Sequence, residues 1–470
     1  MSDELWRWDA VDLAEAIRLG KVSSREAVAA CLKRLEAVNP AVNAVTVVLA
    51  DAARAAADAA DAAVKRGDPL GPLHGVPVTI KENIDQAGCA TTNGVVAFKD
   101  LIAETDSPVV ANWKGAGAVI IGRTNTPAFS LRWHTDNELR GATLNPWAKA
   151  RTPGGSSGGA GASLALGISP LAHGNDYGGS VRYPAYCCGV AGLRPTMGRV
   201  PSFNATAPEE RPMTAQMMAV QGPLARRVRD VRLGFLAMMP RDARDPWWVP
   251  APFEGPAPAR PIRVALTIDP ARQGVDPAVA AAVERAGEAL ARAGYAVEAV
   301  DPPAVDEVAE LWWRLVWTET HHLMAPTIRK LGGAAINRAF DIMMTGMPEL
   351  DLPSYMRGLA QRLKHVRDWL GFLERYPLVV GPVSADPPFR VGFDTDETAD
   401  VAHLRRAQRL LIAVNLLGLP AAAVPAGLTT DGVPLGVQVI GSRYREDLCL
   451  DAAEAIEAQC GLRTPIDPVG

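Results

Sequence analysis

The 470-residue chain is 48% hydrophobic, enough to bury a large core, and its 48 basic and 52 acidic side chains leave a net charge of −4. That balance provides no basic surface for nucleic acid. The six cysteines (Cys31, Cys89, Cys187, Cys188, Cys449 and Cys460) form no C-x-x-C pairs, so neither a disulfide framework nor a zinc site is indicated.

The acidic start MSDELWRWDA lacks the regions of a signal peptide, which points to a cytoplasmic protein. Two amphipathic helices are predicted, from Asp9 to Leu19 and from Ser23 to Val38, the second opened by Ser23 and Glu26 at capping-box spacing. The alanine-rich run from Leu49 to Lys65 is a high-propensity helix that Gly67 to Pro72 breaks. Val76 to Lys81 then reads as a short buried strand with a lysine at its end. Taken alone, such a lysine snorkels to water. To work as a base it must lose its proton, so its pKa must fall from about 10.4 to roughly 7, a change that burial beside polar partners can supply. Glu82 and Asn83 beside it are placed to support the loop by hydrogen bonding.

A helix from Ser107 to Ala116 and a strand from Ala118 to Gly122 follow. Strands alternating with helices argue for an α/β fold, with loops collected at strand ends. Asn125 and Thr126, polar residues before Pro127, are explained by turn chemistry.

The stretch from Arg151 to Pro201 is unlike ordinary core or surface. Gly154, Gly155, Gly158 and Gly159 surround Ser156 and Ser157, and Gly178 and Gly179 lead into Ser180, so backbone can approach a ligand closely on both loops. GGSSG also satisfies G-x-S-x-G, the nucleophile elbow of Ser-His-Asp esterases. That reading needs an acid and a histidine, and His173, His321, His322, His365 and His403 sit in no conspicuous catalytic setting. Phosphate-cradling glycine motifs are absent.

The GGSSGG loop, the segment Gly174-Asn175-Asp176-Tyr177-Gly178-Gly179-Ser180-Val181-Arg182 and the upstream GVPVTIKEN resemble the amidase signature family, the Ser-cisSer-Lys hydrolases. The likeness extends from about Trp8 to the C-terminal NLLGLPAAAVPAG segment. It implies Ser180 as nucleophile, Ser156 as a bridging hydroxyl after a cis peptide, and neutral Lys81 as terminal base. It further implies an oxyanion hole from the N–H groups of Tyr177, Gly178, Gly179 and Ser180. Ser157, Asn175, Asp176 and Arg182 would support these groups, the last two as an ion pair that locks the loop, and by the same resemblance Asn125 and Thr126 would line the substrate cleft. Two departures stand out, Asn175 where threonine is common and the bulky Tyr177. Cys187 and Cys188 read as core.

After Pro223 the sequence predicts a helix from Arg229 to Met239, a proline-rich connection over about 240–261, a strand from Ile262 to Leu266, a helix from Asp276 to Ala293 and a strand from Tyr295 to Val300. A mostly helical region over about 305–375 carries Trp312, Trp313, Trp317 and several methionines, which core packing explains and which could equally shape a hydrophobic, aryl-accommodating cleft. Leu410 to Leu428, interrupted by Asn415, Pro420 and Pro425, reads as buried core and not as a membrane span, and Asp447 to Cys460 as a closing helix.

Length alone would suggest two or three domains, but the resemblance implies one α/β domain over 1–470, a large mixed sheet flanked by helices on both faces, with the signature core over about 70–235. The expected function is hydrolysis of a small amide or carbamate through an acyl-enzyme, with no cofactor, metal, nucleic acid or membrane partner, and compatible with a homodimer. Two alternatives stand beside it: an esterase, and the amidotransferase subunit that works on glutamyl-tRNA. That subunit tends to carry glutamine where this chain has Tyr183.

Overall fold

In the computed structural model, which describes residues 2–469, eleven strands join in one mixed sheet. They are β1 (Val45–Val48), β2 (Pro77–Lys81), β3 (Val119–Thr124), β4 (Leu171–Asp176), β5 (Ala191–Arg194), β6 (Val220–Ala225), β7 (Arg263–Leu266), β8 (Ala296–Ala299), β9 (Leu378–Pro382), β10 (Ala421–Leu428) and β11 (Pro434–Gly441). Across the sheet the order is β1-β3-β2-β4-β6-β5-β10-β11-β9-β7-β8. Central strands such as β2 and β11 are buried at every position, which is why they read as apolar runs without polar alternation. Helices cover them: Arg182–Cys188 and Glu446–Cys460 both pack on β10 and β11.

The predicted helices form at Ala10–Arg18, Ser24–Val38, Ala50–Arg66, Pro108–Gly115, Val228–Met238 and Pro277–Arg292. Ser23 and Glu26 cap reciprocally: Glu26 N–H donates to Ser23 Oγ at 3.1 Å and Ser23 N–H to Glu26 Oε2 at 2.8 Å. The edge strand β1, the helix Met213–Met218 and β6 were not expected. The stretch 410–428 divides into the helix Arg409–Leu417 and strand β10, and among the described residues no helix is long and apolar enough to cross a membrane. Within 305–375 the chain folds as Val305–Glu319, a π-helical turn at Thr320–Met324, then Ala325–Leu331, Ala334–Met344 and Leu352–Leu373.

Parallel pairing of β2 with β3 and β4 brings their carboxyl ends to one edge. The β2–β4 register runs Thr79 opposite Ala172, so two residues on, Lys81 comes level with the Gly174–Asn175 end of β4. Open α/β sheets place their ligand sites at such an edge.

Candidate active site

Lys81 is the last residue of β2 and is completely buried. Its Nζ lies 2.7 Å from Ser156 Oγ, 3.2 Å from Ser157 Oγ and 2.7 Å from Asn175 Oδ1. Burial holds its pKa well below that of an ordinary lysine, with Asp176 pulling the other way. Asn175 is fixed in turn: its Nδ2 donates to Asn83 Oδ1 at 3.0 Å, and Asn83 Nδ2 donates to Ser130 Oγ at 3.0 Å. The asparagine that departs from the family pattern therefore holds the lysine directly.

Ser156 follows a cis peptide after Gly155 and precedes the helix Gly158–Ala165. A Cβ on Gly155 would lie 2.3 Å from the Arg132 carbonyl oxygen, and one on Gly174 would lie 2.8 Å from Ser157 Oγ, so both close approaches require glycine. Ser157 N–H donates to the Ser180 carbonyl at 3.3 Å, which joins the two serine loops. Among the described residues Ser156 Oγ hydrogen-bonds Lys81 and not Ser180, so the lysine half of the expected relay is closed and the nucleophile half is open. Hydrogen bonds of a catalytic relay often tighten only once substrate is bound.

The loop before Ser180 is organised by Asp176. Its carboxylate accepts from Gly179 N–H at 2.9 Å, Val181 N–H at 3.2 Å and Arg182 Nε at 3.1 Å. Arg194 Nη1 and Asn415 Nδ2 add further contacts at 3.4 and 2.7 Å, and Arg182 also donates to Gln438 Oε1 and Asn415 Oδ1, both at 2.7 Å. Burial works to raise the Asp176 pKa, but Arg182 and Arg194 outweigh it and hold the carboxyl far below the usual range. The Asp176–Arg182 pair thus forms as the sequence suggests. One expectation changes: the Gly179 N–H is committed to Asp176 and not turned toward substrate, which leaves Tyr177, Gly178 and Ser180 as the donors that could meet an oxyanion.

Ser180, 8% exposed, lines a narrow cleft. Trp133, Tyr177, Trp312, Trp313, Trp317 and Phe393 wall it. Trp133 Nε1 donates to the Gly178 carbonyl at 2.8 Å, and Trp313 meets Trp133 edge-on at 5.8 Å and stacks on Trp317 at 5.8 Å. The tryptophans of the helical region therefore serve as core and as cleft wall together.

Other candidates fall elsewhere. Asn125 is buried and donates to the Gly141 carbonyl and Thr143 Oγ1, so it braces the following loop and does not line the cleft. Thr126 reaches Ser130 Oγ at 2.9 Å. His173 Nε2 sits 2.8 Å from Gln221 Oε1, and burial pushes its pKa down to about 3. His322 pairs with Glu349 and His403 with Asp386. None of the five histidines hydrogen-bonds Ser156 or Ser180 among the described residues. Cys187 and Cys188 are buried, and burial raises both thiols. The roles of Arg194 and Asn415 at Asp176, and of Gln438 at Arg182, were not read from the sequence, because only the folded chain brings them there.

A family model described as Amidase matches residues 26–450. The chain belongs to the amidase signature family. It is a hydrolase of non-peptide carbon–nitrogen bonds. It is similar to indoleacetamide hydrolase of Bradyrhizobium diazoefficiens, 50% identical over 459 residues covering 97% of this chain and 87% of that one. A glutamyl-tRNA(Gln) amidotransferase subunit of Moorella thermoacetica is 33% identical over 97% of each chain. Among solved structures, a bacterial aryl acylamidase of the amidase signature family superposes with a TM-score of 0.82 at 27% identity, over 96% of both chains. A 6-aminohexanoate cyclic dimer hydrolase does so at 0.82 and 28%, over 98% of this chain and 99% of that one.

Proposed function

We propose that this amidase cleaves primary amides of arylacetic acids, of which indole-3-acetamide is the type, by a Lys81–Ser156–Ser180 relay. The observation that carries the reading is Lys81 Nζ, dehydrated and 2.7 Å from Ser156 Oγ, beside an aromatic cleft that contains Ser180. Ser156 passes its proton to the Lys81 lone pair and takes one from Ser180, whose Oγ attacks the amide carbon. The N–H groups of Tyr177, Gly178 and Ser180 receive the negative oxygen. As the carbon–nitrogen bond breaks, the proton returns from Lys81 through Ser156 to the leaving ammonia. Water, activated by the same relay, then cleaves the acyl-Ser180 ester. Carbamates and aryl esters pass through the same tetrahedral chemistry and would be slower companions.

The name of the 50% identical relative and the flat aromatic walls both support an aryl acyl group. Tyr183 in place of the amidotransferase glutamine favours a free-standing hydrolase. Ammonia release from indole-3-acetamide, phenylacetamide and acetamide, with fluorophosphonate labelling of Ser180, tests the reading. The expected result is labelling of Ser180 and at least about tenfold higher kcat/KM for the aryl amides, since burying one ring is worth more than that factor. Equal turnover of acetamide would overturn the substrate assignment, and labelling that spares Ser180 would overturn the nucleophile.

A further inference from the structure

Tyr177 is the bulky side chain in the strip that leads to the nucleophile. Its ring lines the cleft and meets Trp312 at 5.9 Å and 60°, but its hydroxyl reaches Thr214 Oγ1 at 2.6 Å, away from the cleft lining. Thr214 is itself held by Glu319: its N–H donates to Glu319 Oε2 at 2.9 Å, and its hydroxyl donates to the same oxygen. Tyr355 O–H donates to Glu319 Oε1. A carboxylate only accepts, so the Thr214 proton is spent on Glu319 and Thr214 Oγ1 must accept the proton of Tyr177. The order of donors is thereby fixed, from Tyr177 to Thr214 to Glu319.

Glu319 is buried at the end of the helix Val305–Glu319, immediately before the π-helical turn. The same helix supplies Trp312, Trp313 and Val316 to the cleft. A second contact ties it to the strip: a Cβ on Gly178 would come within 3.1 Å of the Trp312 ring. Thr214 comes from the helix Met213–Met218 and Tyr355 from Leu352–Leu373, so one carboxylate gathers three helices onto the residue that precedes two of the oxyanion donors.

We propose that Glu319 is a positioning residue that, through Thr214, fixes the Tyr177 ring against Trp312 and so sets the preference for flat aryl acyl groups. This rests on the arylacetamide reading and adds the group that enforces it. Without the chain, the Tyr177 hydroxyl loses its acceptor and the ring is free to turn into the space an aryl group would fill. Small acyl groups do not need that space.

The test is the ratio of kcat/KM for indole-3-acetamide to that for acetamide in wild type, Glu319→Leu, Tyr177→Phe and the double variant. Because both Thr214 donors share one oxygen of Glu319, a glutamine could keep them, whereas Glu319→Leu fills the space without an acceptor and leaves Thr214 unheld. The ratio should fall about tenfold in each single variant, the scale of one lost buried hydrogen bond, and no further in the double variant. Thr214→Val should match Glu319→Leu, and Thr214→Ser, which keeps the hydroxyl, should retain the wild-type ratio. A ratio unmoved in Glu319→Leu, equal losses on both substrates, or additive losses in the double variant would each overturn the proposal. If Glu319→Leu does not fold, Thr214→Val breaks the same chain and decides. A wild-type ratio near one would overturn the arylacetamide reading and this proposal together, whereas a high ratio that survives Glu319→Leu overturns this proposal alone.

Discussion

The three partners of Lys81 Nζ satisfy it in either protonation state. As an ammonium it donates to Ser156, Ser157 and Asn175; as a neutral amine it donates to Asn175 and Ser157 and receives the Ser156 proton. Proton transfer therefore requires no movement of heavy atoms. Ser157 is suited to its part because its own hydroxyl has the Asn175 carbonyl as an acceptor at 3.5 Å. With burial holding the lysine pKa well below normal, kcat/KM should rise with pH as the neutral amine is populated. Lys81→Ala should lower kcat at neutral pH by at least about a hundredfold with the far-UV spectrum unchanged, the usual scale of a lost general base. Asn175→Asp makes a sharper test. A carboxylate at the asparagine's position stabilises the ammonium, so the acid limb of the kcat/KM profile should move to higher pH by about one to three pH units. A limb that stays in place would mean that Lys81 is not the titrating base.

At the scale of elements, stability and chemistry are separable. The capping box that opens the Ser24–Val38 helix touches nothing in the cleft, so Ser23→Ala should cost about 1 kcal/mol in urea unfolding and leave kcat/KM as it was. A change in kcat/KM would show that the helix is coupled to the site. This cap was legible in the sequence because its two residues lie three positions apart, and the candidate residues Lys81, Ser156 and Ser180 stood out because each lies inside a short glycine-rich or strand-end motif. What holds the Asp176–Arg182 pair was not legible. Asn415, which meets Asp176, and Gln438, which meets Arg182, come from more than 200 positions away, and no local spacing marks them. The Glu319 chain was hidden for the same reason, joining residues near 177, 214, 319 and 355. β1 was missed because VTVV is a four-residue edge strand, too short for its alternation to register. The helical region near the cleft was legible in type but not in its breaks: the π-helical turn at Thr320–Met324 contains neither glycine nor proline to mark it.

Across the whole molecule, buried carboxyls pull stability in opposite directions with pH. Asp176 is depressed, so its contribution is complete above the unfolded carboxyl pKa near 4 and is lost as pH falls toward its folded value. The other direction is set where three helices distant in sequence meet. Burial raises Asp230 to about 6, with Asp9 adding to the rise, although its Oδ1 accepts the Val11 N–H at 2.9 Å. Burial likewise raises Glu457 to about 7, against the Val228 N–H that it accepts at 3.1 Å. Both carboxyls bind their protons more tightly folded than unfolded. Their contribution is therefore fully present below about 4 and is lost as pH rises through about 6 for Asp230 and about 7 for Glu457. Glu457→Gln keeps an acceptor for Val228 without a charge to desolvate. It should leave stability nearly unchanged at pH 5 and raise it by about 1 kcal/mol at pH 8, a figure reduced from the full linkage value because the side chain is partly solvated. Urea midpoints of the two proteins at both pH values measure the difference. Identical pH dependence in wild type and variant would mean that Glu457 ionises in the folded protein as it does in the unfolded chain.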